Sequence, residues 1–553
     1  MLKLSLFLRI FHTVRFLKVR QLAYQVYYRV HKPRIRELSA PAVRGEFSAW
    51  SGESFMAPAT KDGSNFTFLG QSARLDEDWN DPGFPKLWLY NLHYQDDLNA
   101  TGAESRGALC ARMVEAWIAG NPPLQGNGWE PYCLSLRMVN WVKFFSRLGP
   151  EGVNEKWLRS LIQQTDVLEQ RLEFHILANH LFANAKALVF VGAYLGGAQG
   201  DHWLRKGLAL LDAEVKEQFL DDGAHYERSP MYQGTLLWDL ADLIALERAT
   251  QLPELEQRKD DWQQRFCRGL EWLMAMSHPD GEIAFFNDAT FGIAPGLETL
   301  SHYAQSLALP VPERNKPGML VGTLFPESGY GVVEWPEDHR LLVDVAPVGP
   351  DYQPGHAHAD TLSCELSLFG QRALVNSGIS QYGEGEERHR QRSTAAHNTV
   401  EVDGENSSEV WAGFRVARRA MPLAVNLENS HARVLLQAGH DGYKRLEGKP
   451  VHYRRWIAVN ESLTIEDELV GCFERAVAYW HFHPELRVEQ DEATRFKVHL
   501  PDGQIVVIEV SGGSACLVAS SWHPGFGVSD ESQKLAVTFS SPKFTTRISW
   551  SSI

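Results

Sequence analysis

The spacing of apolar residues changes once along this 553-residue chain, and that change restricts the fold to few architectures. From about residue 100 to 310, apolar residues recur every three or four positions, which is typical of amphipathic helices. From Gly329 onward they alternate, as in Tyr330 to Trp335 and Leu362 to Leu368, which predicts strands. A run of helices followed by a run of strands indicates an α+β protein with two large domains.

The helical part divides into segments separated by turns that contain Gly and Pro. The segments with helical spacing are Ala108–Leu148, Lys156–Leu172, His180–Leu195, Trp203–Phe219, Gly234–Ala249 and Asp260–Met276. Consecutive antiparallel helices stack as hairpins, and a ring of such hairpins buries every inner face. The polar, Pro-rich stretch 310–318 is the expected linker. We predict an N-terminal segment at residues 1–40, a helical domain at 41–315 and a strand-rich domain at 316–553.

The first 36 residues contain nine Lys or Arg and no acidic residue before Glu37, with apolar residues interspersed. The basic residues interrupt any apolar run, so the segment lacks the features of a convincing signal peptide and is too charged to span a bilayer. Two interpretations stay open: a basic amphipathic helix on an anionic membrane surface, or a helix packed on the body with its basic face in solvent. The segment indicates a cytoplasmic protein, either free or held peripherally at the inner membrane.

The net charge of -15 argues against a nucleic-acid partner, because binding to phosphates needs a basic surface. An acidic glycan is not excluded, since a local basic cleft can lie on an acidic body. The oligomeric state cannot be read from the sequence.

Polar residues interrupt the apolar stretch from Phe174 to Asn184 at the predicted start of a helix. His175 and Asn179 would share one helix face by their spacing of four, and His180 and Asn184 a neighbouring face. Such a cluster indicates either a hydrogen-bond network between helices or a polar site.

A second cluster lies between Asp221 and Gln233, after a predicted turn and before a helix. Tyr226 and Tyr232 flank the pair Glu227 and Arg228. This places a potential proton donor beside a cation that binds carboxylates. The alternative is a capping loop with an ordinary surface ion pair.

A third cluster is the run from His356 to Asp360, in which His356, His358 and Asp360 project to the same side of an extended chain. Together with His397 downstream, these residues indicate a metal site with imidazole ligands. Histidines of a solvent-facing loop are the alternative.

The joint order of these motifs resembles the heparinase II/III-like polysaccharide lyases, from about residue 90 to the end of the chain. The motifs are Asn179-His180, the Tyr226 to Tyr232 loop, the run from His356 to Asp360, Asn376-Ser-Gly378 and the run from His397 to Val400. The resemblance implies an N-terminal incomplete (α/α) toroid, a C-terminal antiparallel β-sandwich and an active site between them. It also implies cleavage of an acidic polysaccharide by β-elimination at C4 of a uronic acid.

The resemblance assigns the catalytic roles. Asn179, with His180 adjacent, would neutralise the uronate carboxylate, so that the C5 proton becomes acidic enough to remove. Tyr232 matches the family's catalytic Tyr as acid and, for one stereochemistry, as base as well, with Tyr226 as the alternative. His356 would be the base when proton and leaving group lie on opposite faces of the ring.

Further side chains are predicted to bind substrate. They are Tyr226, Arg228, Trp129, Arg137 and Arg392; the run from Trp129 to Arg137 resembles a helix that lines the substrate groove in the family. Arg228 and the basic run from Arg388 to Arg392 are also expected to lower the pKa of the catalytic Tyr, because nearby cations favour the phenolate.

Several family members hold a structural zinc in the sandwich, and by motif position its ligands here would be His358, Asn376 and His397. Members with metal have Asp at the middle position, and an amide oxygen is a poorer zinc ligand than a carboxylate, which counts against zinc. Without metal, His358 and His397 would be hydrogen-bonded partners that orient His356.

Two other functions are weighed. Helical toroids also occur in inverting glycoside hydrolases, which need two carboxylic acids; Glu130, Glu227 and Asp288 are the candidates. A non-catalytic glycan-binding or assembly protein of exopolysaccharide or O-antigen metabolism would keep the fold without the chemistry. The identity of the polysaccharide cannot be read from the sequence.

Overall fold

The structure is a computed structural model that describes residues 2–38, 42–45, 47–75 and 78–550, with side chains from residue 6 onward. The predicted boundary between residues 40 and 41 lies outside the described residues. Helices precede strands along the chain, which confirms the predicted fold class. The last long helix of the N-terminal half ends at Ser306, and the first strand of the C-terminal half begins at Val321.

The helices of the described chain include two near the N-terminus, nine in the toroid half and one short helix in the C-terminal half. They are α1 Leu2–Val14, α2 Val19–Val30, α3 Lys86–Tyr94, α4 Gly107–Gly120, α5 Pro131–Leu148, α6 Glu155–Gln170, α7 Ala178–Tyr194, α8 Gly197–Gln218, α9 Pro230–Thr250, α10 Pro253–Ala275, α11 Leu297–Ser306 and α12 Glu386–Gln391. None of these helices has the length and apolar content needed to cross a membrane.

Helices α4 to α11 form an arc of hairpins, an incomplete (α/α) toroid. Along its inner side α5 packs on α7 and α7 on α9, and each inner helix has its sequence neighbour outside it. Helices α7 and α9 are buried along almost their whole length, which is why their sequences are apolar nearly all round. The predicted single segment Ala108–Leu148 is wrong: it is two helices, because Pro122, Pro123 and Gly126 interrupt the pattern.

The strands form one N-terminal hairpin and the sheets of the C-terminal half. They are β1 Asn65–Phe68, β2 Gln71–Arg74, β3 Val321–Phe325, β4 Tyr330–Glu334, β5 Arg340–Asp344, β6 Cys364–Leu368, β7 Gln371–Leu374, β8 Val400–Val402, β9 Val410–Trp411, β10 Arg415–Val416, β11 Pro422–Ser430, β12 Arg433–His440, β13 Val451–Val459, β14 Ser462–Val470, β15 Ala476–His481, β16 Arg487–Glu492, β17 Arg495–His499, β18 Ile505–Ser511, β19 Ser514–Trp522, β20 Asp530–Phe539 and β21 Lys543–Trp550.

The C-terminal half is an antiparallel β-sandwich. Its three larger described sheets have the strand orders β3-β4-β5-β6-β7, β11-β12-β13-β14-β21-β18-β17-β16 and β19-β20-β15-β8, and β9 and β10 form a separate pair. Every pair of neighbouring strands in these sheets is antiparallel. The predicted strands at Tyr330 to Trp335 and Leu362 to Leu368 correspond to β4 and β6.

The five-stranded sheet lies between the toroid and the rest of the sandwich. Val332 and Leu342 pack with Trp272 of α10 on one face, while Val333 and Leu341 join the sandwich core on the other. With both faces covered, β4 and β5 are buried almost throughout, as expected for a sheet between two layers. This packing brings the loops before β4 and β6 against the loops that carry the polar clusters of the toroid.

Candidate active site

The first turn of α9 holds Tyr232 in a defined position. Ser229 caps the helix, its side chain accepting a hydrogen bond from the Tyr232 backbone N–H at 3.2 Å, and Pro230 occupies the first turn. The Ser229 hydroxyl also donates to the carbonyl of Asp288 at 2.5 Å. One side chain therefore links the start of α9 to the segment that bears Asp288.

Tyr232 contacts residues of the strand-rich domain. Its ring stacks on His356 with centroids 3.9 Å apart, and its Oη lies 3.0 Å from the Oη of Tyr382. The buried ring of Tyr226 packs instead beside Tyr352, at a centroid distance of 6.3 Å. The structure thus brings the ring of Tyr232, rather than that of Tyr226, onto His356.

The pKa of Tyr232 is raised overall, although the nearby Arg388 favours the phenolate as expected. Burial raises the pKa of Tyr232 well above its ordinary value, and Tyr382 and Asp288 raise it further. The Arg228 guanidinium donates to backbone carbonyls instead, and Arg388 is bound to Asp288. Tyr232 is therefore a protonated phenol near neutral pH, which suits a proton donor.

Asp288 is the centre of a buried hydrogen-bond network. Its Oδ2 lies 2.9 Å from Nδ1 of His356, its Oδ1 lies 2.8 Å from Nε2 of His358, and Arg388 donates to both oxygens. Burial alone would raise the pKa of Asp288, but Arg388 and the two imidazoles hold it well below its ordinary value. Because an ionised carboxylate only accepts, Nδ1 of His356 is the nitrogen that donates to Asp288, and Nε2 points to the side of Glu227.

Glu227 lies on the other side of His356. Its Oε2 is 3.6 Å from Nε2 of His356, and neither of its carboxyl oxygens completes a well-formed hydrogen bond. Burial raises the pKa of Glu227, while His356 and His180 oppose that rise. The carboxyl group also lies close to the backbone of Asn179, so Glu227 connects the toroid residues to His356.

The segment before α7 differs from the prediction. The helix begins at Ala178, and Leu177 and Ala178 have φ of 70° and 54°, in the left-handed region. His175 therefore lies outside the helix, and the expected shared face of His175 and Asn179 is wrong. The bend leaves Asn179 in the first turn of α7, with its side-chain oxygen buried and without a hydrogen-bond partner.

His180 and Asn184 share a helix face as predicted, and both bind Glu173. Nδ1 of His180 lies 3.0 Å from Glu173 Oε1, and the Asn184 amide donates to Glu173 Oε2 at 3.0 Å. Burial lowers the pKa of His180, but the Glu173 carboxylate outweighs that effect and raises it. These hydrogen bonds fix the side chain of His180 in the first turn of α7, next to Asn179 in the sequence.

The predicted substrate-binding residues of the toroid lie inside the protein. Arg137 is fully buried and donates to the carbonyls of His93 and Gly128 and to the side chain of Gln164. The Trp129 indole is buried and donates to a backbone carbonyl at 3.2 Å. These expectations are corrected: both side chains stabilise the fold rather than face a ligand.

The same correction holds for Arg392 and Tyr226. Arg392 is fully buried and donates to the carbonyls of Ala357 and Ala412, and Tyr226 is only 5% exposed. Arg228 donates to the carbonyl of Ser328 at 2.9 Å but is partly exposed, so substrate binding by Arg228 stays a prediction.

The candidate metal ligands are rearranged relative to the prediction. His358, Asp360 and His397 place one donor atom each within 4.8 Å of one another, and all three are buried. The Asn376 amide oxygen instead accepts the backbone N–H of Asn398 at 3.1 Å, so the predicted role of Asn376 as a ligand is corrected. The available set is two imidazoles and one carboxylate, which is a zinc donor set.

The facing nitrogens of this set lack a proton between them. Nδ1 of His397 donates to the carbonyl of Ser393, which leaves its Nε2 bare; Nε2 of His358 faces the ionised Asp288, which leaves its Nδ1 bare. These two bare nitrogens lie 3.0 Å apart. Burial lowers the pKa of His397 to about 4, so a proton is disfavoured there and a cation fits.

Two residues of the site were not singled out from the sequence. Tyr382 follows the Asn376 motif in an irregular loop, where no periodicity marks it, and Glu173 directly precedes the cluster from Phe174 to Asn184. For Tyr382, the signal in the sequence is its position between two recognised motifs.

Two profiles of one protein family match the chain. The profile described as Heparinase II/III N-terminus matches residues 99–308, and that described as Heparinase II/III-like, C-terminal matches residues 321–551. Between them they leave out residues 1–98, residues 309–320 and the last two residues.

Curated relatives are also similar to the chain. A heparin-sulfate lyase from Bacteroides stercoris is 26% identical over 431 residues, which are 71% of this chain and 60% of the lyase. A heparin-sulfate lyase from Bacteroides thetaiotaomicron is 22% identical over 410 residues, or 66% of this chain and 56% of the lyase. The chain thus spans less than two thirds of the length of these relatives.

Solved structures share the fold at low identity. The crystal structure of heparinase III superimposes with a TM-score of 0.68 and 16% identity, covering 96% of this chain and 89% of that one. Heparan sulfate lyase from Pedobacter heparinus gives 0.58 and 15%, covering 96% and 88%. The arrangement of toroid and sandwich is therefore that of these proteins, and the chain belongs to the heparinase II/III-like family.

Proposed function

We propose that the protein is a polysaccharide lyase that cleaves a uronic-acid-containing acidic polysaccharide by β-elimination. The observation that carries the proposal is the contact of Tyr232 from the toroid with His356 from the sandwich, with Glu227 next to both His356 and the backbone of Asn179. A phenol, an imidazole and an amide in one place are the groups that this reaction requires.

The proposed roles rest on the hydrogen bond of His356 to Asp288 and on the raised pKa of Tyr232. His356, bound to Asp288 through Nδ1, would remove the C5 proton with Nε2, and the protonated Tyr232 would donate a proton to the departing glycosidic oxygen. Asn179 would donate its amide N–H to the uronate carboxylate and so stabilise the enolate that develops. The relatives named heparin-sulfate lyases support an acidic glycan of the glycosaminoglycan type as substrate.

The carboxyl groups do not favour the alternative of an inverting hydrolase. Glu130 pairs with Lys86 at 3.1 Å, and the buried Asp288 is held ionised by Arg388. Of the three candidates only Glu227 is left, and an inverting hydrolase needs two carboxyl groups across the bond.

The experiment is a screen of the purified protein against uronate polysaccharides, with near-ultraviolet absorbance and new reducing ends measured together. We expect both signals to rise in parallel on at least one substrate, since elimination leaves an unsaturated sugar. Reducing ends without absorbance would indicate hydrolysis, and binding without either signal would indicate a non-catalytic protein.

We further propose that His358, Asp360 and His397 hold a structural zinc ion. The bare imidazole nitrogens 3.0 Å apart and the nearby carboxylate support it. Bound metal would stabilise the sandwich next to His356, because a ligand that binds only the folded state raises the free energy of unfolding.

We predict about one zinc per chain in protein purified without chelators, and a melting temperature that falls by roughly 5 °C or more after chelation. Mass spectrometry of metals and thermal unfolding measure both effects, and added zinc should restore stability. His397→Ala should remove the metal and the response to chelator. Metal-free protein whose melting temperature ignores both chelator and zinc would overturn the assignment.

We also propose that the N-terminal helices dock on an anionic lipid bilayer, with the inner membrane of the producing cell as the location. Along α1, Leu6, Phe7, Ile10, Phe11 and Val14 recur at helical spacing and are between 41% and 64% exposed. More than half of the exposed large hydrophobic side chains in the described part of the chain lie between residues 6 and 35. A cationic segment with an exposed apolar stripe is complementary to an anionic bilayer surface.

Vesicle sedimentation tests this proposal. The full-length protein should pellet with phosphatidylglycerol vesicles and less with phosphatidylcholine vesicles. The double variant Phe7→Asp, Phe11→Asp should reduce binding by about 100-fold, because burying each Phe contributes roughly 1.5–3 kcal/mol. A wild type that stays in the supernatant with anionic vesicles, and a cell extract in which it is wholly soluble, would contradict the proposal.

A further inference from the structure

The N-terminal helices bridge the two domains beside the candidate active site. On the sandwich side, the Trp411 indole donates to the Thr13 hydroxyl at 3.0 Å, next to the end of α1. On the toroid side, the Arg20 guanidinium lies 3.7 Å above the Phe174 ring, and the Tyr28 hydroxyl donates to the carbonyl of Leu172. The two helices therefore touch the loop before α7 and the short strand β9 of the sandwich at once.

Gln21 is the residue of this bridge that reaches both domains by itself. It is only 1% exposed, although it lies on a helix with many exposed residues. Its amide nitrogen donates to the carbonyl of Tyr352 at 3.2 Å and to the carbonyl of Ile176 at 3.4 Å. Its amide oxygen accepts the backbone N–H of Lys18 at 2.9 Å, so the buried amide is paired on both sides.

The two carbonyls belong to the loops that present the candidate catalytic residues. Ile176 immediately precedes the left-handed bend after which Asn179 enters the first turn of α7. Tyr352 lies four residues before His356, and its ring is also covered by the Lys18 ammonium at 3.7 Å. One side chain thus joins the backbone that carries Asn179 to the backbone that carries His356.

We propose that Gln21 is a positioning residue for the active site, tying the loop before Asn179 to the loop before His356 across the two domains. The inference rests on the proposed lyase function. Asn179 and His356 must act on one sugar ring, and a displacement of about 1 Å between catalytic groups can reduce a rate by about 100-fold. The loops lack the repeating backbone hydrogen bonds of helices and strands, so they are free to move unless other contacts hold them. The hydrogen bonds from Gln21 supply such a contact to both loops.

The matched variants are Gln21→Met and Gln25→Met. Methionine is close to glutamine in size and flexibility but cannot donate to the two carbonyls. Gln25 lies one turn further along α2 and is exposed, so its substitution controls for the effect of Met in this helix. Both proteins are to be assayed full-length on a substrate that the wild type cleaves.

We expect Gln21→Met to lower kcat by about 10-fold with KM changed less than about twofold, since groups are misplaced in the transition state while the binding surface is kept. Gln25→Met should match the wild type. Hydrogen exchange should rise by at least about threefold in peptides that cover residues 172–180 and 350–358. It should also rise at Lys18, whose backbone N–H loses its acceptor, and stay unchanged elsewhere. A purely structural role would instead raise exchange across the whole helical bridge and lower the melting temperature.

Unchanged exchange in these two peptides, or kcat within about twofold of the wild type, would overturn the proposal. Exchange is measured without substrate, so the tie can be tested even if no polysaccharide is cleaved. If exchange rises in the variant but the wild type cleaves no polysaccharide, the proposed lyase function is wrong while the role of Gln21 in joining the two loops is supported.

Discussion

Replacing Tyr232 by Phe is expected to lower kcat/KM by about 1,000-fold while the protein stays folded. Positioned proton transfer accounts for about 100-fold to 10,000-fold in enzymes, and Tyr232 carries the only proton that we assign to the leaving group. The Phe ring keeps the stacking on His356, so the variant loses one hydroxyl and its contact with Tyr382. That loss costs about 1 kcal/mol of stability.

Initial rates of unsaturated product and a thermal unfolding curve measure the two effects separately. Tyr226→Phe is the matched control, because it removes the hydroxyl of a second buried Tyr whose ring packs beside Tyr352 instead of on His356. The Tyr226 hydroxyl has no well-formed hydrogen bond, so this substitution should change the rate less than about threefold. A Tyr226→Phe protein that loses more activity than Tyr232→Phe would contradict the assignment of the catalytic Tyr.

Replacing Asp288 by Ala is expected to lower the free energy of unfolding by about 3–5 kcal/mol and to abolish measurable activity. The substitution leaves the fully buried Arg388 without its carboxylate, and an uncompensated buried charge costs that much. It also frees Nδ1 of His356 from the acceptor that fixes its tautomer. Denaturant unfolding and initial rates measure the two losses.

The lowered pKa of Asp288 also predicts how its contribution to the free energy of unfolding changes with pH. The pKa of Asp288 is well below its ordinary value in the folded protein and about 3.9 in the unfolded chain. Its contribution is therefore fully present above about pH 4 and is lost as the pH falls through the folded pKa. The difference in stability between wild type and Asp288→Ala should be constant from about pH 6 to 8 and shrink in acid.

The exposed Asp260 of α10 provides the control for this series. Asp260→Asn should change the free energy of unfolding by less than about 0.5 kcal/mol at any of these pH values. An Asp288→Ala protein as stable as the wild type at neutral pH would show that the buried network does not hold the site together.

The order of helices and strands was predictable because it depends on local periodicity. Helix α6 and strand β14 show it directly in their residues. The break between α4 and α5 was missed, although Pro122 and Pro123 mark it. Helices and strands can thus be predicted from the spacing of apolar residues, provided that helix-breaking residues such as Pro are taken into account.

The contacts of the site were less predictable, because they join residues far apart in the chain. Asp288 binds Arg388 one hundred residues away, and Gln21 reaches Tyr352, yet no local pattern links either pair. The motifs identified Tyr232 and His356 as candidates but not their stacking. Arg137 and Arg392 were misassigned because a sequence does not separate a buried, carbonyl-bound Arg from one that faces a ligand.

The most direct test of the account is the mass of the cleavage products formed in water labelled with ¹⁸O. Elimination breaks the bond between C4 and the glycosidic oxygen, so we predict a non-reducing end that is lighter by one water and products that carry no label at early times. A saturated end with ¹⁸O incorporated into the products would show hydrolysis, and would contradict the roles assigned to Asn179, Tyr232 and His356.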